Sequence, residues 1–195
     1  MKTPPVLRLA VLLSLPSLMA LDRAAAASPS EACRTSNLPL ETQRQVKGAI
    51  FARLSTIGVG KDQARQTSGT VEIFAASADV GGGGVPHRII AYVSAAPLCG
   101  SGGCIAFTLT RHSAKYAVTG QIQPARLPIV SLNGSSEGWS NLGMMVAGGG
   151  IRDVHMAILV HRDGKYPSNP TLASVKTRQS TGRETPLIAR GTCHI

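Results

Sequence analysis

Residues 79–110 read DVGGGGVPHRIIAYVSAAPLCGSGGCIAFTLT, and this stretch decides the fold. Two runs rich in β-branched and aromatic residues, Arg88 to Ala96 and Ile105 to Thr110, flank a segment whose proline and glycines are typical of a connection. The stretch therefore predicts a β-hairpin. A disulfide between Cys99 and Cys104 would close a very small ring, so it would stiffen this connection far more than it would join distant parts of the chain.

Alternation of apolar and polar residues with a period of two continues outside the hairpin and is typical of half-buried antiparallel strands. Strands are predicted at Thr70 to Ala75, Tyr116 to Ile122, Trp139 to Ala147 and Val154 to His161. The short apolar piece Leu127 to Leu132 lies beside two prolines, which predicts an edge strand.

One segment has helical periodicity. From Leu40 to Ile57, the residues Val46, Ile50 and Leu54 fall on one stripe, and Gly58 and Gly60 follow it. The predicted fold class is therefore α+β, with an N-terminal helix packed on an antiparallel β-meander of six or seven strands.

The first 27 residues have the three-part pattern of a secretory signal. Lys2 and Arg8 precede an apolar run, and small residues follow up to Ala27. The run is too short to span a bilayer comfortably, so no transmembrane segment is predicted after the signal is removed. We expect a periplasmic or secreted protein with a single domain at residues 28–170 and a basic C-terminal tail at 171–195.

Export would place the cysteines in an oxidising compartment, where disulfides are the rule. The four cysteines, Cys33, Cys99, Cys104 and Cys193, allow three pairings. We favour Cys99 with Cys104 and Cys33 with Cys193, because the second bridge would tie the tail back to the start of the domain. A zinc site is the rival interpretation, but the histidines show no ligand spacing that would complete one. No metal or cofactor is predicted.

The chain is basic. Its net charge of +10 falls to +8 without residues 1–27, which hold three basic residues and one acidic residue. Such a charge favours acidic partners. The basic residues are scattered and aromatic residues make up 4%, too few for a stacking surface, so no specific nucleic acid is expected. The predicted partner is an envelope protein or an anionic envelope polymer.

Three separated motifs carry a family resemblance. CGSGGC at Cys99–Cys104, Gly138-Trp139-Ser140-Asn141-Leu142 with the later triple glycine 148–150, and YPSNP at Tyr166–Pro170 together resemble a family of exported bacterial proteins of unknown function. That family usually carries a calcium-like loop before its second strand. Here Asp79 is the only oxygen-bearing side chain in 79–86, so the calcium chemistry is not expected.

The cysteine spacing is also similar to that of periplasmic inhibitors of vertebrate-type lysozyme, which plug the enzyme with a rigid loop between two cysteines. The blocking histidine of that family has no counterpart among Gly100, Ser101, Gly102 and Gly103. A loop of this kind could still present backbone groups to a partner, although glycine is also what a tight structural turn requires.

Candidate chemistry is sparse. Gly134–Gly138 matches a nucleophile elbow with Ser136 as the nucleophile, but the following residues alternate as a strand where an elbow needs a helix. His155 and His161 lie six residues apart and are predicted to form a polar pair on the solvent side of one strand. Trp139 is the sole tryptophan and could anchor the core or stack on a sugar.

The sequence therefore predicts a non-enzymatic exported protein that binds or inhibits a macromolecule of the cell envelope. Its predicted binding residues are Gly100, Ser101, Gly102, Gly103 and Trp139, with no catalytic residues. The alternatives are a hydrolase acting on an envelope polymer and a purely structural envelope protein. A cleft in which Asp79, Glu137 or Ser136 met a histidine would favour the hydrolase.

Overall fold

The computed structural model describes residues 38–59, 71–80, 84–189 and 195. Within them lie one α-helix, α1 (Leu40–Thr56), and a short 3-10 helix at Ala96–Leu98. The strands are β1 (Glu72–Ser77), β2 (Arg88–Ser94), β3 (Cys104–His112), β4 (Lys115–Ala125), β5 (Ile129–Ser136), β6 (Trp139–Gly148), β7 (Ile151–Leu159), β8 (Lys176–Arg178) and β9 (Thr185–Ile188). The proposed signal segment and both Cys33 and Cys193 lie outside the described residues.

Helix α1 matches the sequence prediction closely. Val46, Ile50 and Leu54 are buried at intervals of four residues. Gly58 follows the helix with a φ of 82°, the left-handed conformation that commonly ends a helix and that glycine adopts without steric cost. The apolar stripe therefore faces the rest of the domain.

The strands form two antiparallel sheets and not the single sheet of six or seven strands that the sequence predicts. The first sheet has the order β1-β2-β3-β4, and the second has the order β8-β7-β6-β5-β9. Within each sheet, consecutive strands are neighbours as in a meander, except that β9 returns to pair with β5. The α+β class is correct, and the sheet count is wrong.

The first sheet forms the middle layer, with α1 on one face and the second sheet on the other. One apolar cluster joins the helix residues to one face of the sheet through Ile89, Ile105 and Phe107. The other cluster joins the opposite face, including Ile90 and Ala106, to the second sheet. Because both faces are covered, the apolar run 89–93 of β2 is buried throughout, and β3 is buried at every position from Cys104 to Leu109.

The chain crosses from the first sheet to the second between β4 and β5. Pro128 immediately precedes β5 and has no backbone N–H to continue a ladder, which explains the break at this point. The expectation of an edge strand here is wrong, because β5 lies between β6 and β9.

The segment 171–195, expected as a basic tail, contributes two strands to the second sheet. β8 is exposed at all three residues, so no alternation marks it in the sequence. Between β8 and β9, the Glu184 carboxylate accepts hydrogen bonds from the Thr181 N–H, the Thr181 and Ser180 hydroxyls and Arg178. Hydrogen bonds to one carboxylate therefore organise a segment that has no periodicity.

The C-terminal residue packs against the first sheet. The Ile195 N–H donates to the Ile73 carbonyl of β1 at 2.9 Å, and its side chain is buried in the cluster beneath α1. In the part of the chain that is described, no helix is both long enough and apolar enough to cross a membrane.

Candidate functional site

The loop between the 3-10 helix and β3 is closed by a disulfide and by a pair of backbone hydrogen bonds. Cys99 and Cys104 form a disulfide, as predicted. Inside that ring, the Gly100 N–H donates to the Gly103 carbonyl at 2.8 Å, and the Gly103 N–H donates back to the Gly100 carbonyl at 3.1 Å. The tip, Gly100 and Ser101, is exposed. This segment, residues 99–104, is called the cysteine loop below.

The cysteine loop is also held from outside, by the triple-glycine turn 148–150 that joins β6 to β7. The Gly149 N–H donates to Ser101 Oγ at 3.2 Å. Nη1 of Arg126 donates both to the Ser101 carbonyl at 3.0 Å and to the Ala147 carbonyl at 3.1 Å. Two motifs that are 48 residues apart in sequence therefore meet, and one guanidinium bridges them.

Glycine is required at two points around the cysteine loop. A Cβ on Gly148 would overlap the backbone carbonyl of Ser101, and a Cβ on Gly103 would overlap the carbonyl of Ala125. Both glycines also have positive φ angles, 77° and 129°. The close approach of the backbones, and not only the turn geometry, explains glycine at these positions.

Two cavities flank the cysteine loop. The larger, of about 620 Å³, is lined by residues of the cysteine loop, by Arg126 and the two residues before β5, and by Pro186 of β9 and Ala189. The smaller, of about 310 Å³, includes Gly102 and the turn residues Gly148 and Gly149. The loop forms a ridge between them, and each cavity is of the size that small ligands or single side chains of a partner occupy.

Arg126 is the one charged side chain among the described residues that line the larger cavity. Its wall also includes Tyr92, Ser94, Leu127, Pro128, Pro186 and Ala189. Among the described residues that line it, none is acidic. Among the described residues, the ion pairs of arginine are Arg44 with Glu41, Arg88 with Asp79 and Arg178 with Glu184, so Arg126 has no carboxylate partner there.

Trp139 does not join the cysteine loop. It lies at the start of β6, whereas Gly148, which contacts the loop, lies at the other end of the same strand, about 30 Å away at the usual rise of a strand. Its indole is 4% exposed and stacks on the ring of His161 with a centroid distance of 4.9 Å. Tyr166 packs edge-on against both rings. No indole face is open to a sugar ring.

His161 is buried in this aromatic cluster, contrary to the expectation of a solvent-facing pair with His155. β7 ends at Leu159, so the two histidines do not share one unbroken strand. His161 Nδ1 lies 2.6 Å from Glu137 Oε2, and the His161 side chain is 5% exposed. His155 is half-buried, and its Nδ1 lies 2.7 Å from the Asp153 carbonyl.

The Glu137 carboxylate joins two hairpin turns. Glu137-Gly138 and Asp163-Gly164 both have positive φ at their two central residues, the geometry of type I′ turns. Glu137 accepts hydrogen bonds from the N–H groups of Asp163 and Gly164 as well as from His161. The Gly164 N–H is the largest cause of a lowered Glu137 pKa, with His161 and the Asp163 N–H adding to it. No motif in the sequence predicts this contact, and the two X-Gly turns are its only local signal.

The residues considered for hydrolysis only partly converge. Glu137 does meet a buried histidine, but Ser136 lies in an antiparallel hairpin, opposite Trp139, and not in a strand-to-helix elbow. No hydrogen bond joins Ser136 to a histidine in the described part of the chain. The Asp79 carboxylate accepts from the His87 and Arg88 N–H groups and from the Arg88 guanidinium, so it caps a turn.

Neither a cluster of metal ligands nor a similarity to known proteins identifies the site. Within residues 38–59, 71–80, 84–189 and 195, no three His, Cys, Asp or Glu side chains lie close enough to hold a metal ion. Comparison with known proteins found no matching family model, no similar curated protein and no similar solved structure. Function must therefore be argued from the cysteine loop, its two cavities and the charge of Arg126.

Proposed function

We propose that this chain is an exported, non-enzymatic protein of the cell envelope that binds or inhibits a macromolecule through the cysteine loop. The observation that carries the proposal is that the loop is held rigid both by bonds within it and by contacts from outside. Its backbone is closed by a disulfide and two hydrogen bonds, and Arg126 and Gly149 hold it from outside. A loop that is already ordered loses little entropy when a partner binds.

Export is part of the same proposal. The N-terminal pattern of residues 1–27 and the Cys99–Cys104 disulfide both support passage into an oxidising compartment. We place the protein in the periplasm or outside the cell. We also propose that it belongs to the family of exported bacterial proteins whose glycine, tryptophan and YPSNP motifs it resembles.

The resemblance is supported by the contacts that these motifs make in the fold. The CGSGGC and triple-glycine motifs meet at Ser101 and Gly148. In the YPSNP motif, the Tyr166 hydroxyl donates to the Ser140 carbonyl of β6, and the Ser168 carbonyl accepts from the Gln123 N–H of β4. The last motif therefore bridges the two sheets.

The partner is an envelope protein or an anionic envelope polymer. The basic charge of the chain supports an acidic partner. An anionic polymer would bind with a strong dependence on ionic strength, because charges in solvent are screened within about 8 Å at physiological salt. A protein partner that fills the cavities with apolar side chains would depend less on salt.

A hydrolase acting on an envelope polymer is the second candidate, and the contact of His161 with Glu137 is the observation in its favour. Against it, that carboxylate accepts hydrogen bonds from two backbone N–H groups, which is what a turn cap does. The test is the release of soluble fragments from purified envelope polymer. A hydrolase predicts fragments that disappear with His161→Gln, and a binding protein predicts none.

The loop is tested by capture of partners from envelope extract on the immobilised protein. Gly100 has open space around its Cβ position and no positive φ, so Gly100→Glu changes the loop tip without a clash. Gly48 on α1 has the same freedom and makes Gly48→Glu a matched control on the far side of the first sheet. We expect Gly100→Glu to reduce capture at least tenfold and Gly48→Glu to leave it unchanged.

Reduction of the disulfide provides the complementary arm. If the ring orders the binding surface, a reductant that opens Cys99–Cys104 without unfolding the domain reduces capture of the same partner. Equal capture by wild type, Gly100→Glu and reduced protein would remove the cysteine loop from the binding surface and contradict the proposal.

A further inference from the structure

We infer that the larger cavity beside the cysteine loop is a binding site for an oxyanion, a phosphate or carboxylate group, and that Arg126 is the residue that holds it. The inference rests on the proposed binding role of the loop and names the chemistry that the site would recognise. Three features carry it: the unused donors of Arg126, the other groups that line the cavity, and its charge.

Arg126 is held in place but not neutralised. A guanidinium has five N–H donors, and both hydrogen bonds of Arg126 to the described residues use Nη1, one to the Ser101 carbonyl and one to the Ala147 carbonyl. Neither Nη2 nor Nε donates to an acceptor among the described residues. The side chain is half-buried, so two carbonyls fix the plane of the group while one edge remains available. A fixed planar fork is what bidentate recognition of a carboxylate or phosphate requires.

The neighbours of Arg126 in the cavity add donors and no competing acid. Ser101 Oγ accepts from the Gly149 N–H, which leaves the hydroxyl hydrogen for another acceptor. Ser94 adds a second hydroxyl, which among the described residues contacts only Cys99 Sγ, at 4.0 Å. Glu72 pairs with Ser94 across β1 and β2, but it does not line the cavity. Among the described lining residues, an oxyanion in the cavity would therefore meet donors and no carboxylate.

Four of the other lining residues are apolar. Leu127, Pro128, Pro186 and Ala189 line the same space as the guanidinium. At about 620 Å³, the cavity has room for an anionic group together with several carbon atoms. The best ligand is consequently an oxyanion that carries a short apolar segment, and a free inorganic ion should bind less well.

Arg126 differs from the paired arginines of the domain. Arg88 lies 3.1 Å from Asp79 and Arg178 lies 3.2 Å from Glu184, so their charges are compensated within the fold. Arg126 instead contacts carbonyl oxygens, which orient it without cancelling its charge. A partly buried cation of this kind attracts an anion more strongly than a fully solvated one, because less water screens it.

The test is a titration of the folded, oxidised protein with hexyl phosphate, hexanoate and 1-hexanol, followed by the backbone amide signals of Ser94, Gly100 and Gly103 in two-dimensional NMR. We expect saturable shifts at these amides with at least one of the two anions, and binding of 1-hexanol at least tenfold weaker. Tighter binding of hexyl phosphate indicates a phosphate-bearing ligand, and tighter binding of hexanoate indicates a carboxylate-bearing one.

Arg126→Gln should weaken binding of the preferred anion at least tenfold. Arg162→Gln removes the same charge from an exposed position at the other end of β6 and β7 and should change binding less than twofold. Because Arg126→Gln also alters the support of the loop, ionic strength is varied on the wild type. Raising salt should weaken the anion and leave 1-hexanol unchanged.

Three results would overturn the inference: binding of neither anion, equal binding of 1-hexanol and both anions, or undiminished anion binding by Arg126→Gln. Failure of the oxyanion site can be distinguished from failure of the proposed function. If Gly100→Glu abolishes capture of an envelope partner while neither anion binds, the loop is a binding surface and the oxyanion site is wrong. If an anion binds through Arg126 while capture does not depend on Gly100, the inference holds and the macromolecular role of the loop is wrong.

Discussion

Gly148 packs directly against the backbone carbonyl of Ser101, which leaves no room for a Cβ. Through this contact, the glycine-rich turn between β6 and β7 lies beneath the cysteine loop. The neighbouring Gly149 has a positive φ of 59° but open space around its Cβ position. The two positions therefore separate strain of the backbone from overlap with the loop.

Gly149→Ala should cost about 1 kcal/mol of unfolding free energy, because alanine tolerates the left-handed conformation poorly. Gly148→Ala has the same conformational cost and also overlaps the Ser101 carbonyl, so it should cost a further 1–3 kcal/mol or so. Urea unfolding of both variants measures the difference. Equal destabilisation would mean that the turn does not press against the loop.

Truncation beneath α1 tests the layered arrangement. Ile50 is fully buried between the helix and the first sheet, and Ile50→Ala should cost about 2–5 kcal/mol through lost burial and the cavity left behind. Lys47 lies on the same helix and is not part of that cluster, so Lys47→Ala should change stability by no more than about 0.5 kcal/mol. Chemical denaturation checks both. A helix that tolerates Ile50→Ala as well as Lys47→Ala is not packed on the sheet.

The contact of Glu137 with His161 predicts a pH dependence of stability. The folded pKa of Glu137 is lowered, first by the Gly164 N–H, so the unfolded chain takes up the proton before the folded one does as the pH falls. The stabilisation is complete above the ordinary pKa of glutamate and is lost as the pH falls through the lowered value. Wild type should exceed Glu137→Gln in stability at pH 6, and the gap should close in acid.

Trp139 provides the measurement for this prediction. It is the sole tryptophan, and it stacks on His161, so its fluorescence reports on this end of the domain. Thermal unfolding followed by tryptophan emission between pH 3 and pH 7 gives the two stability curves. A constant gap between wild type and Glu137→Gln over that range would show that the carboxylate does not hold the two turns together.

Glu184 predicts a second, separate acid transition. Hydrogen bonds, chiefly from the Thr181 N–H, lower its pKa to about 2 in the folded chain. By the same sign, the contribution of Glu184 to stability is present above the ordinary glutamate pKa and disappears as the pH approaches 2. Glu184→Gln should therefore be less stable than wild type at pH 6 and nearly equal to it at pH 2. Hydrogen exchange at Thr181, compared between the two proteins, localises the effect, and unchanged protection at pH 6 would contradict it.

The sequence predicted the elements better than their assembly. The helix followed from the spacing of Val46, Ile50 and Leu54, and the disulfide from the short spacing of Cys99 and Cys104. The two sheets did not follow, because alternation shows that a strand has an inner face but not which layer covers it. The continuous apolar run of β2, IIAYV at residues 89–93, was the available signal that both faces are buried.

The contacts at the candidate site were less predictable still. Glu137 and His161 are 24 residues apart, and Arg126 reaches both the cysteine loop and the triple-glycine turn only after the two sheets have packed. Pairs of this kind leave no periodic trace in a single sequence. Trp139 was ambiguous for a related reason, since a lone tryptophan looks the same in sequence whether it is buried or exposed.

The rigidity of the cysteine loop is the claim on which the binding proposal depends. The most direct measurement is ¹⁵N relaxation of the Gly100, Ser101 and Gly102 amides in the oxidised protein. The hydrogen bonds between Gly100 and Gly103 and the support from Arg126 predict order parameters close to those of the flanking strands, about 0.85. Values below about 0.6 at these three amides would show a flexible loop and would contradict the account.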